Sequence, residues 1–139
     1  MQRAFATVVL GLAFLPGCGS SEASDTAIRE TLERGVAQIG EPQPAKQLHD
    51  DLVRTLAKLR SQRASTDVGQ SARTLAIQGF TWTLRSVDAR LEIIRNDSGN
   101  LEASVRDAKR SDRNRRRGAT LLRAAGRALG VRIGNLSGS

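Results

Sequence analysis

Residues 68–94 carry apolar side chains at helical spacing on two sides at once. One seam runs Ile77, Phe80, Leu84, Val87, Leu91 and Ile94, in steps of three and four. A second runs Val68, Ala72, Leu75, Gly79, Trp82, Ser86, Ala89 and Ile93 in the same alternation. At about 100° per residue the two seams fall on nearly opposite sides of one helix. A helix that is apolar on two sides has to be sandwiched between partners. The second side is mostly small, so whatever covers it can come close. Ser65, Thr66 or Asp67 can cap this helix, which the spacing carries to about Asn96.

The mate for the small side follows directly. Asn96-Asp97-Ser98-Gly99-Asn100 reads as a turn, with Gly99 as a left-handed cap. Beyond it Leu101, Val105, Ala108, Asp112, Arg115, Ala119, Leu122, Gly126 and Leu129 form another seam, again in steps of four and three. Folded back antiparallel, this seam sets Leu129 against Val68, Leu122 against Leu75 and Val105 against Ile93. The same register levels Arg95 with Glu102, Glu92 with Arg106, Arg90 with Asp107, Asp88 with Lys109 or Arg110, and Arg85 with Asp112. Exposed pairs contribute only ~0–1 kcal/mol each, but together they disfavour slipped registers. Trp82 comes level with Arg115. It either fills the gap left by Gly79 and Ser86 or makes a cation–π contact with that arginine.

Two shorter helices precede the hairpin. Ile28, Leu32, Val36 and Ile39 line the first, which Ser24 or Asp25 can cap and Gly40 and Pro42 end. Pro44 opens the second, whose stripe is Leu48, Leu52, Leu56 and Leu59, ending near Arg63. Beyond residue 17 the chain has one Phe, Phe80, and one Trp, Trp82, so the core must be aliphatic. The expected fold class is all-α: a small helical bundle built on a long antiparallel helical hairpin, about residues 67–130, with two shorter helices. A chain of 139 residues allows one such domain. Its expected extent is 25–132, with 133–139 a flexible tail.

The N-terminus has a different character. Met1-Gln2-Arg3 is a short positive start, and residues 4–15 carry no charge. That run is too short to span a bilayer, which needs ~20 apolar residues. It fits the apolar region of a signal peptide. Leu15-Pro16-Gly17-Cys18 follows, then Gly19-Ser20-Ser21. These residues resemble the lipobox of bacterial lipoproteins: Leu three positions before Cys, a small residue just before it, a polar tether after. Pro16 departs from the small or β-branched residue usual at its position. The resemblance implies cleavage between Gly17 and Cys18, removal of residues 1–17, a diacylglyceryl group on Cys18, and residues 18–24 as a tether. An ordinary signal peptide, or a buried N-terminal helix with an incidental Cys, competes for the same residues.

Charge is segregated. Residues 18–72 carry seven basic and eight acidic side chains, whereas residues 73–139 carry fourteen basic and six acidic. The densest run is Lys109-Arg110-Ser111-Asp112-Arg113-Asn114-Arg115-Arg116-Arg117. Arg113, Arg115, Arg116 and Arg117 have no acid opposite, because residues 70–87 contain none. Arg123 and Arg127 extend the Arg116 face. These six arginines are either a solvated helix face or a contact for anionic lipid or cell-wall polymer. Nucleic acid is disfavoured, since an exported chain is removed from most of it and two aromatics leave little to stack on bases.

Little else suggests chemistry. One Cys excludes an internal disulfide, and one His, His49, cannot anchor a zinc site. His49-Asp50-Asp51 reads as first-turn acids suited to the helix dipole, not as acid–base machinery. Gly126, Gly130 and Gly134 repeat as in packed membrane helices, but Arg123, Arg127 and Arg132 interrupt that run. Close approach to the third helix or a fraying end is the better reading. The expected product is a non-enzymatic envelope lipoprotein, facing away from the cytoplasm, without cofactor or metal. Its competitors are a small-ligand carrier or enzyme with a pocket near Trp82, Asp112 and Arg115, and a module that self-associates through the bulky seam of the third helix.

Overall fold

The computed structural model describes residues 20–95, 100–134 and 136. The leader, Cys18 and the Gly99 cap lie outside the described residues. Among the described residues four helices are seen: α1 Ser20–Gly40, α2 Ala45–Ser61, α3 Asp67–Arg95 and α4 Leu101–Ala128. The fold is all-α, with α3 and α4 closely packed as the main pair. Helix α1 begins at Ser20, so the expected tether at 18–24 is helical from that residue on.

The α3–α4 register is the one the seams dictate. Ser86 and Ser111 lie opposite each other, the Ser86 Oγ donating to the Ser111 carbonyl at 2.9 Å and the Ser111 Oγ to the Ser86 carbonyl at 3.0 Å. Gly118 lies beside Gly79: a Cβ added to Gly118 would stand 2.9 Å from the Gly79 carbonyl and 2.6 Å from Thr83 Oγ1. Leu122 packs on Gly79, one turn beyond the Leu75 that the register sets level with it. Helical side chains lean toward their own N-terminus, which in antiparallel α4 carries Leu122 one turn up α3.

The phase of the α4 seam differs toward its N-terminus. An apolar repeat of strictly seven residues drifts ~20° per heptad on a straight helix. Following α4 backwards from Gly126 and Leu122, the inward positions become Gly118 and Ser111, with Asp107 half-buried. Leu101 and Val105 rotate outward and are 77% and 45% exposed. Val68, expected against Leu129, is also exposed. The expected cross-hairpin ion pairs give way to pairs along one helix: Glu92 with Arg95, Glu102 with Arg106, Asp107 with Arg110.

The bulky side of α3 is covered by α1 and α2. Ile28, Leu32, Leu52, Leu59 and Phe80 are fully buried there. Gly35 makes room for the Phe80 ring, since a Cβ would sit 2.6 Å from its Cζ. Asp25 meets Ser65 and Thr66, just ahead of α3, and Gly35 meets Phe80, so α1 runs parallel to α3. Helix α2 runs the other way, with Arg73 donating to the Leu59 carbonyl at 2.7 Å and His49 Nε2 standing 3.5 Å from Asp88. Helix α2 begins only four residues before His49. Ala45 is thus about level with Glu92, and the last residues of α3 and the first turn of α4 extend beyond the start of α2.

Three further expectations need correction. Asp25 does not cap α1; it lies inside that helix and serves the loop before α3. The first turn of α2 holds no acid, and the His49-Asp50-Asp51 run sits a turn later. The stretch from 133 is not wholly free: Ile133 packs on the core and Leu136 is buried. Gly130, with φ of 67°, turns the chain back, Val131 N–H donating to the Gly126 carbonyl at 2.7 Å and Gly130 N–H to that of Arg127 at 3.3 Å. Those two bonds satisfy carbonyls left open at the helix end. Gly126 is thus needed by the returning tail, where a Cβ would stand 2.8 Å from both Ile133 Cδ1 and the Val131 carbonyl.

Candidate functional site

Helix α4 starts at Asn100, whose side chain accepts from the Ala103 N–H at 3.1 Å. With Ser111, Gly118, Leu122 and Ala125 turned inward, the opposite face is fixed. It carries Arg106, Lys109, Arg113, Arg116 and Arg127, all exposed, with Arg110 and Arg117 exposed beside them. At 1.5 Å per residue the ridge from Arg106 to Arg127 is about 32 Å long. Arg123 lies half-buried at its edge. There, together with Arg115, Arg116, Thr120 and Leu136, it lines an open depression of about 330 Å³.

The six arginines singled out in the sequence do not behave alike. Arg113 and Arg127 stand on the open ridge. Arg116 is on the ridge but pairs with Asp112 Oδ2 at 2.8 Å. Arg115 takes Asp112 Oδ1 at 2.8 Å and is only 30% exposed. It points roughly 160° away from Arg113 around α4, toward α3. The Arg115 hydrogen bond, joined by that of Arg116, holds the Asp112 carboxyl below the usual carboxylate range. Arg117 lies over the Trp82 ring, 4.2 Å from its centroid, and Arg85 lies over it at 4.6 Å. Trp82 is therefore the base for two guanidiniums, neither of them Arg115, and Leu122 occupies the gap at Gly79. Arg106, Lys109 and Arg110 join the ridge although hairpin pairing was expected to absorb them. The steps of three and four from Arg113 back to Lys109 and Arg106 were the overlooked signal.

The chain matches no family model, no curated protein and no solved structure.

The polar break in the hairpin is a shallow groove of about 280 Å³, lined by Arg90, Ile93, Ala108, Ser111, Asp112 and Arg115. Trp82 is not among its walls. The Ser111 hydroxyl there is committed to Ser86, so the groove offers no free nucleophile. His49 stands between two carboxylates, its Nδ1 3.0 Å from Asp50 and its Nε2 3.5 Å from Asp88. Among the described residues no three His, Cys, Asp or Glu side chains cluster to hold a metal. No described helix is long and apolar enough to cross a membrane. What the arrangement offers chemically is a row of guanidinium and ammonium donors on one rigid helix, suited to phosphate and carboxylate oxygens.

Proposed function

We propose that this is a lipid-anchored protein of the bacterial envelope, held through Cys18, whose α4 ridge contacts anionic surface material without catalysing a reaction. The observation that carries this reading is the continuous exposed basic face from Arg106 to Arg127. Each basic side chain near an anionic membrane contributes about 1 kcal/mol, so a ridge of this size binds measurably by itself and, with a lipid as a second hold, anchors the protein stably. The lipobox resemblance places such a domain beside anionic lipid headgroups and acidic wall polymer.

The test is sedimentation with vesicles. The chain from residue 18, carrying Cys18→Ser, contains every described helix. It is expected to bind vesicles containing phosphatidylglycerol and not those of phosphatidylcholine alone. Replacing Arg113, Arg116 and Arg127 by Glu removes at least three favourable charges and is expected to weaken binding by more than a hundredfold. Unchanged binding with intact helicity would overturn the role given to the ridge.

A further inference from the structure

Three large aliphatic side chains are left outside the core at one end of the molecule. Ile94 is 65% exposed, Leu101 77% and Val105 45%. They sit at the end of α3 and the start of α4. The opposite end is where α1 begins: Asp25 meets Ser65 and Thr66 beside the α3 N-terminus. From Gly69 to Arg95 the α3 axis covers about 39 Å. The Asp25 end of α1 and the apolar tip thus lie toward opposite ends of α3.

The tip also faces the right way. Around α4, Leu101, Val105, Lys109, Arg116, Arg123 and Arg127 fall within an arc of about 80°. Apolar residues at one end and cations along the rest therefore look out on the same side. A helix of this kind lies in the membrane interface, its cations on the headgroups and its apolar residues in the boundary layer. We infer that the α3–α4 tip inserts Ile94, Leu101 and Val105 into the interface of an anionic bilayer, so that α4 lies along the membrane with its cations on the headgroups. The inference rests on the proposed lipid-contacting role of α4. A wall polymer would supply anions but no apolar layer for Leu101 and Val105. A second copy docked on this face in a two-fold contact would bring the cationic ridge against itself.

Leu101→Trp in a Trp82→Phe background reports the tip alone, again in the Cys18→Ser chain from residue 18. On phosphatidylcholine–phosphatidylglycerol vesicles with brominated acyl chains, the introduced indole is expected to shift to shorter wavelength and to be quenched. A second measurement keeps Trp82: Ile94→Ser, Leu101→Ser and Val105→Ser replace no buried residue, and together they are expected to weaken vesicle binding roughly tenfold to a hundredfold. Binding that persists without quenching, and that the triple Ser variant leaves unchanged, would overturn the insertion while leaving the ridge reading intact. No binding to either vesicle type would overturn both. Concentration-dependent doubling of mass that the triple Ser variant abolishes, without vesicle quenching, would give the tip to a second copy and overturn the inference as well.

Discussion

Asp25 shows how one side chain joins two elements. It lies inside α1, yet its carboxylate accepts from the Ser65 N–H at 2.9 Å and from the Thr66 hydroxyl. Thr66 in turn accepts from the Gly69 N–H at 2.9 Å, which caps α3. The Thr66 hydroxyl bond, followed by the Ser65 N–H, holds the Asp25 carboxyl below its ordinary value of 3.8. A carboxyl depressed on folding stabilises the fold above its unfolded pKa, and that contribution disappears as pH falls through the lower folded value. Asp25→Asn is therefore expected to lose about 1 kcal/mol at neutral pH, discounted for its partial exposure. In thermal melts the gap between the two proteins should be constant above about pH 4 and close below it. A gap independent of pH would place the effect elsewhere. Trp82 offers a second test at this scale. It is the chain's one Trp, so its emission reports the two guanidiniums over its ring. Arg117→Ala should uncover the indole, shift its emission to longer wavelength and cost about 0.5–1 kcal/mol.

At the scale of the element, the α3–α4 crossing depends on missing side chains. A Cβ on Gly118 would meet Thr83 Oγ1 at 2.6 Å and the Gly79 carbonyl at 2.9 Å, and backbone cannot swing aside as a flexible side chain can. A Cβ on Gly79 would meet Leu122 Cγ at 2.8 Å and its backbone nitrogen at 3.1 Å. Gly118→Ala is expected to destabilise by roughly 1–3 kcal/mol despite the better helix propensity of Ala. Gly40→Ala, where nothing lies within 4 Å, should be neutral or slightly stabilising. Denaturant unfolding of the two variants separates overpacking from propensity. This crossing also shows what was legible beforehand. The alternation of four and three along both helices was enough to set the axial register, which the Ser86–Ser111 pair obeys. It was not enough to set rotation, because a seven-residue pattern does not track a straight helix for four heptads. That drift put Ser111, not Asp112, against α3 and turned Leu101 and Val105 outward. It is also why charges level across the hairpin paired along their own helices instead. The role of Gly126 was hidden for another reason: its partners, Val131 and Ile133, lie after the helix in a segment with no periodicity to read.

For the whole molecule, the ridge was half legible. Unequal charge between the two halves of the chain marked the region, and Arg113, Arg116 and Arg127 are exposed on one face of α4. Arg115 turned inward and Arg117 settled on Trp82, which no count of charges could foresee. The anchor and the ridge make separable contributions, and salt distinguishes them. At 1 M salt the screening length is about 3 Å, so the hold of exposed arginines on headgroups is largely lost. A diacylglyceryl group is held by apolar burial, which salt does not weaken. Membranes washed at high salt should therefore retain the wild-type protein, whereas vesicles washed alike should release the Cys18→Ser chain from residue 18. Intact mass of the membrane-extracted wild-type protein should show a chain beginning at Cys18 with added acyl mass, absent from the Cys18→Ser protein expressed beside it. A full-length, unmodified wild-type chain in the soluble fraction would remove the anchor. The same ridge would then face the cytosol, where nucleic acid is the most abundant anion of its size, and retention on nucleic acid that falls steeply with salt would become the measurement to make.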